Sequence, residues 1–307
     1  MIVVVSGVGL VTPLGDSAAQ LSEAIQQRRS ALRPSDELAR LPSPLAGRIE
    51  RVDLRPWLVR RKDRKLLSRP AQLALPAAGD ALGAWPGERE ELGLFLGIGR
   101  EPPDTGASEP ALAASERDGR LCPQALSSRG RELYPPLLPL LTLPNLVLSH
   151  ISINLEIRGW NGTVAGEAAA GVGALIEGYY AVAEGRCPAA LVGGADSRVD
   201  FGSARDLYRL GRASPTRPPA EGAVFLLLEP AHAAGSALAS IAPTCRSRSR
   251  AVEPAPHWSL TGDLGAADGL LQLVIMMLHG RWGELRVSDD EGAELGVALG
   301  APPPLPS

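Results

Sequence analysis

The chain has 307 residues, 45% of them hydrophobic and 21% charged, enough for a sizeable core in two domains or in one large domain of two halves. Lys+Arg 31 against Asp+Glu 34 gives a formal net charge of −3, without the basic excess that a nucleic-acid surface needs. The sparse cysteines, Cys122, Cys187 and Cys245, form no disulfide framework and no zinc spacing, so a reduced, cytoplasmic protein is expected.

Residues 2–5 are a β-branched run that predicts a buried opening strand. Gly7, Gly9, Pro13 and Gly15 predict a turn-rich loop after it, and Asp16 or Ser17 is placed to cap a helix running to Gln27. Residues 31–69 read as irregular, with four prolines and the basic run 60–65. Residues 70–82 read as a helix entered by proline, and 92–98 (LGLFLGI) as a second buried strand. The polar stretch 101–131 is expected to be mobile. A helix is predicted over 146–155, a turn over 159–162 and a short strand over 163–165. Apolar residues at helical spacing mark 167–184, and 189–193 and 223–228 are further buried strands. Beyond these come one good helix, 269–279, and two weak strands, 285–287 and 295–299. Short apolar strands alternating with helices predict α/β layers.

The opening MIVVVSGVGL lacks a basic region followed by a long apolar one, so no signal peptide is expected. The apolar windows 137–148 and 270–278 are broken by proline or too short to span a bilayer, so no membrane segment is expected.

Little in the chain carries chemistry on its face. The loop GVGLVTPLG resembles a dinucleotide fingerprint, but Thr12 stands where the third glycine is required, and a structural turn is the favoured reading. His150, His232, His257 and His279 form no ligand-spaced pair, so neither a metal nor a cofactor is expected. There is no G-x-S-x-G nucleophile elbow, and Cys187, between a helix and a buried strand, reads as an inert thiol. The run RRKDRK at 60–65 reads as a solvated face, with an acidic carrier protein as its most interesting partner.

The most informative stretch is 161–197, NGTVAGEAAAGVGALIEGYYAVAEGRCPAALVGGADS. A strand runs through very small residues into a helix, and a second strand ends in Gly193-Gly194-Ala195-Asp196. Such a helix start carries a partial positive charge and would lower the pKa of a thiol placed on it. No nucleophile stands there.

This stretch resembles the nucleophile region of the β-ketoacyl synthases, members of the thiolase-like superfamily. That family sets a Cys among small residues, as in T-A-C-A-S-G, ahead of a helix and a strand ending in G-G-A. Gly166-Glu167-Ala168-Ala169-Ala170-Gly171 matches in register and puts Ala168 where the Cys would be. Residues 1–15 resemble the family's opening strand and V-T-P-x-G loop, 92–99 its glycine-flanked strand, 144–159 its P-N helix, and 221–229 its E-G-A strand. The likeness covers about residues 1–240. Thr261-Gly262-Asp263-Leu264-Gly265-Ala266-Ala267 is similar to the T-G-H-x-x-G-A-A stretch with one residue missing, so Asp263 replaces the His or the His is lost. Trp258 stands for the upstream Lys. The H-G-T-G-T histidine has no counterpart in the short stretch 244–256, and the glycine-rich gating loop survives only as 289–292.

The resemblance implies a thiolase-like layered fold, α-β-α-β-α, with a synthase-like N-terminal half at 1–240 and a shortened C-terminal half at 241–307. It also implies acyl condensation through a thiolate and two imidazoles, which this chain lacks. The expectation is therefore a chain-length-factor-like subunit with no catalytic residue, Ala168, Trp258 and Asp263 being degenerate positions. It would pair with an active ketosynthase, or with itself, in fatty-acid or polyketide biosynthesis, and an acyl carrier protein is a further expected partner. The partner-facing surface is expected to include 146–155 and 163–165. The alternative is a divergent acyltransferase using Glu167 or Asp263, although Glu167 reads first as a helix-start carboxylate.

Overall fold

The computed structural model describes residues 1–99, 106–248, 256–288 and 293–304. Its frame is one eight-stranded sheet. The strands are β1 (Val3–Val11), β2 (Gly93–Gly99), β3 (Asn161–Gly166), β4 (Ala190–Ser197), β5 (Glu221–Pro230), β6 (Ala239–Arg248), β7 (Gly283–Ser288) and β8 (Ala293–Gly300). They lie in the order β7-β8-β6-β1-β5-β4-β2-β3. β2 runs parallel to β3 and β4, and every other neighbouring pair is antiparallel. The main helices are α1 (Ala18–Gln26), α2 (Arg69–Leu82), α3 (Asn145–Leu155), α4 (Ala169–Ala183), α5 (Phe201–Arg209) and α6 (Asp268–Leu278).

The sheet is curled, and α4 shows why. A Cβ on Gly173 of α4 would lie 3.4 Å from Val164 of β3 and 3.6 Å from Leu295 of β8. In a flat sheet these strands would stand roughly 29 Å apart, while a helix is only about 10–12 Å across. The sheet therefore folds round α4 and α6. Val3, Val5, Val224, Leu285, Val287 and Val297 share one apolar core with Val172, Leu175 and Leu270 of those helices. A second core packs α2 and α3 on the opposite face of β1, β2, β4 and β5. The order is thus helix, sheet, helix, sheet; the described residues supply four of the five expected layers, with no outer helix layer over the last limb of the sheet. On β7, Leu285 and Val287 point inward and are buried, while Glu284 and Arg286 face water, the alternation of a sheet solvated on one side.

Local choices follow from the sequence. Ser17, not Asp16, caps α1, its side chain accepting from the Gln20 N–H at 3.3 Å. Pro70 sits in the first turn of α2, where its missing N–H costs no helical bond. The loop expected at Gly7 and Gly9 is instead the middle of β1. A Cβ on either glycine would stand 2.1 Å or less from a carbonyl oxygen of α2, Ala81 for Gly7 and Ala77 for Gly9. The glycines are there so that α2 can lie directly on the strand, and the turn starts only at Thr12.

Other expectations need amendment. Of the stretch 101–131, residues 101–105 lie outside the described ones. From 106 on it is folded, with Glu109–Ala114, Pro123–Ala125 and Arg131–Leu133 as short helices and Glu116–Arg117 paired with Arg120–Leu121. Buried Ser115 organises it, its hydroxyl donating to Ala111 O at 2.6 Å and its carbonyl accepting from Cys122 N at 2.8 Å. Residues 31–69 contain short 3-10 turns at Asp36–Leu38 and Arg61–Leu66. Strand β6 and helix α5 were not predicted. Pro243 and several polar residues hide the alternation of β6, whose register slips between Pro243 and Arg246. In α5 only Ser203, Ala204 and Leu207 are buried, too short a stripe to read. The stretch 289–292 and most of 244–256 lie outside the described residues. Among those described, no helix is long and apolar enough to cross a membrane.

Candidate functional site

β3 ends at Gly166, and α4 begins at Ala169 with Ala168 as its N-cap residue. Small residues let this junction sit against the sheet. A Cβ on Gly97 of β2 would lie 2.3 Å from Gly171 N, and one on Gly171 would lie 2.3 Å from Ala266 O. The loop 261–267 is drawn in the same way, since a Cβ on Gly194 of β4 would meet Ala266 O at 2.4 Å. Behind it, a Cβ on Gly269 would lie 3.3 Å from Ala168 O. The positions singled out in sequence, Glu167, Ala168, Trp258 and Asp263, are thereby gathered at the starts of α4 and α6.

A buried network of charge holds them. Arg198 Nη1 donates to Glu167 Oε2, and its Nε donates to Asp196 Oδ2 at 2.7 Å. Arg212 Nη1 donates to the other oxygen of Glu167 at 3.0 Å. Arg217 Nε pairs with Asp263 Oδ2 at 2.6 Å, and its guanidinium stacks over the Trp258 ring at 4.5 Å. The Trp258 indole N–H donates to Asp268 at 3.1 Å, and His257 Nε2 lies 2.8 Å from the same carboxylate. Backbone donors complete it: Gly265 N to Asp263 at 2.8 Å, Ala266 N to Asp196 at 3.2 Å and Leu264 N to Asp268 at 3.3 Å.

Burial sets the electrostatics. It opposes the charge of Arg198, but Asp196, Glu167 and Asp263 outweigh it and hold the guanidinium protonated. Burial pushes the Asp196 and Asp263 carboxyls up, against the pull of Arg198 and Arg217 respectively. Burial works the same way on Asp268, but His257 and the donors Gln272 and Trp258 hold it below the usual carboxylate range.

Glu167 and Asp263 are each bound to arginine, Glu167 to Arg198 and Arg212 and Asp263 to Arg217. Glu167 is not the helix-start carboxylate first expected, since its side chain turns to Arg198 and Arg212. Arg198, Arg212, Arg217 and Asp268 escaped the sequence reading. Asp196 lies only two residues from Arg198, but the pairs Arg198–Glu167, Arg212–Glu167, Arg217–Asp263 and Asp268–His257 span 31, 45, 46 and 11 residues, which no local spacing announces. Cys187 is buried at the turn before β4, and burial raises its thiol pKa. Among the described residues no group of His, Cys, Asp and Glu is placed to hold a metal.

Two surfaces flank the site. The basic run forms the turn Arg61–Leu66; Arg60 pairs with Asp63 at 2.9 Å, while Arg61, Lys62, Arg64 and Lys65 are exposed. Arg64 and Lys65 line an open cavity of about 840 Å³ with Ser68, Arg69 and Leu141. At the far edge of the sheet, β3 pairs with β2 alone among the described residues, and Asn161 to Ala165 are exposed or half-buried. Ile153 of α3 and Trp160 lie close by in sequence, 58% and 57% exposed.

The family described as "Beta-ketoacyl synthase, N-terminal domain" has a model that matches residues 2–233. Among solved structures, a type II PKS acyl-carrier protein in complex with its ketosynthase bound to the hexaketide (AntDE:AntF) is similar, with TM-score 0.75 and 13% identity over 98% of this chain and 99% of that one. The ishigamide ketosynthase/chain length factor is similar at TM-score 0.73 and 20% identity, again over 98% and 99%. A β-ketoacyl synthase from Burkholderia phymatum STM815 gives TM-score 0.76 and 15% identity, with the same coverage. At these identities the likeness carries the fold alone, a thiolase-like layered α/β fold.

Proposed function

Because the chain belongs to the β-ketoacyl synthase family, we propose that it is a non-catalytic ketosynthase-like subunit that pairs with an active ketosynthase in polyketide or fatty-acid biosynthesis. One observation carries the reading: Ala168, a methyl side chain, caps the helix where the family's nucleophile would stand. A methyl group cannot accept an acyl chain, and removing such a nucleophile commonly costs on the order of a millionfold in turnover. Asp263 and Trp258, at the family's other working positions, are engaged with Arg217 and Asp268. In this reading residues 1–240 are the ketosynthase-like half, and 241–307 are what remains of the other.

The open edge of β3 and the exposed residues of α3 supply the partner surface. An unpaired edge strand invites another strand, and pairing there would extend the sheet across two chains. The likeness to a ketosynthase/chain length factor supports an active ketosynthase as that partner. The likeness to a ketosynthase held with its acyl carrier, together with the exposed basic turn, supports an acyl carrier protein at Arg61–Leu66. The alternative of an acyltransferase working through Glu167 or Asp263 gains nothing, since both carboxylates are bound to arginine.

The test is co-expression with candidate ketosynthases and a carrier protein, followed by affinity purification and an acyl-loading assay. The expected result is a stoichiometric complex in which only the ketosynthase partner is loaded. A chain that pairs with no ketosynthase and loads an acyl group itself overturns the proposal.

A further inference from the structure

Glu167 is an unusual residue for its place. The junction between β3 and α4 is otherwise built of glycine and alanine, yet it carries a long acidic side chain that is buried. That carboxylate is held on both oxygens, by Arg198 on one and Arg212 on the other. The two arginines come from different segments, Arg198 from just beyond the end of β4 and Arg212 from the turn after α5. Arg198 is buried and is braced separately by Asp196, so its position does not rest on Glu167 alone. The Arg212 side chain is 21% exposed and gives the pair an outlet to solvent. Two guanidinium groups converging on one carboxylate is how proteins bind free carboxylate ligands.

We propose that Arg198 and Arg212 form a binding site for a small carboxylate, and that Glu167 occupies it from within the chain as a plug beside Ala168. Cutting Glu167 back to Ala removes a methylene and a carboxylate, the atoms that acetate would restore. The site is then open to acetate or formate from solution and closed to a bulky acid such as pivalate.

The experiment is a thermal-melting titration of the full chain and of Glu167→Ala with sodium acetate, formate, pivalate and chloride at constant ionic strength. Glu167→Ala is expected to melt several degrees below the parent. Acetate should then raise its Tm saturably by roughly 2–4 °C, as mass action on a folded-state site requires. Pivalate and chloride should not, and the parent should not respond to any of the four. Glu167→Ala/Arg212→Met should lose most of the acetate effect. If Glu167→Ala is recovered unfolded, the same titration is read as return of far-UV circular dichroism, and failure of acetate to restore it overturns the site. An acetate effect no larger than that of chloride, or equal in the parent, also overturns it. No ketosynthase, carrier or acyl donor enters the measurement, so its failure would leave the proposed pairing untouched, and failure to pair would leave the site untouched.

Discussion

At the scale of single residues, the chemistry turns on what Ala168 and its neighbours lack. Ala168→Cys would place a thiol at the start of α4, where the helix end favours a thiolate. In our proposal condensation would still be missing, because the carboxylate of Asp263, paired with Arg217, would take the place of an imidazole. The expectation is that Ala168→Cys alkylates with iodoacetamide yet forms no condensed product from acyl and malonyl thioesters by mass spectrometry. The native thiols should behave differently from one another. Half-buried Cys122 should alkylate in the folded protein, and Cys187, buried and with its pKa raised, only after denaturation. Peptide mapping of protein labelled with and without urea checks this.

The buried charges make a sharper demand. Arg198→Met leaves Glu167 and Asp196 buried with one guanidinium fewer, and breaking such a network costs about 3–5 kcal/mol. Urea unfolding should show the midpoint falling accordingly. Asp268 gives the pH dependence. Its carboxyl sits below the ordinary value of 3.8, so the stability it contributes is fully present above that pH and is lost as pH falls through the lower folded value. Asp268→Asn should therefore cost stability at neutral pH, and the gap to the parent should narrow below pH 3.8. Asp196 and Asp263, raised by burial, act in the opposite sense, and their ionisation costs stability as pH rises above 3.8 through the raised values.

At the scale of elements, the starts of α4 and α6 are positioned by glycines that admit backbone against backbone. Gly194→Ala would drive a methyl to 2.4 Å from Ala266 O, a contact that neither strand nor loop can give easily. Overpacking of this kind costs roughly 1–3 kcal/mol, read as a lower denaturant midpoint. Such glycines also decide how much of the fold could be read in advance. In the segment 161–197 the helix and the strand after it were legible from their apolar runs, whereas β3 was read only over 163–165 because Asn161 and Gly162 look like turn residues. β1 was read as half its length because Gly7 and Gly9 look like turn residues when only the chain is known, and the carbonyls of α2 that explain them lie some seventy residues away. β6 was lost because Pro243 and the polar residues that follow it break up its apolar run. Of the residues gathered at the starts of α4 and α6, Ala168, Trp258 and Asp263 were named from motifs, but the arginines around them could not be, since their pairing is made by the fold.

At the scale of the whole molecule, the sheet curls round α4 and α6 and ends in two edges, β7 and β3. The outer face of β7 is charged and solvated, and among the described residues no further helix lies over Glu284 and Arg286. The molecule therefore keeps the frame of its family, and in our proposal it is the scaffold, with the open β3 edge as its means of association. That account stands or falls on whether the chain can carry an acyl group. The direct measurement is the intact mass of the purified protein after incubation with activated acyl and malonyl thioester donors. The account predicts an unchanged mass with every donor. A covalent adduct that forms on the chain and is discharged to an acceptor would contradict it.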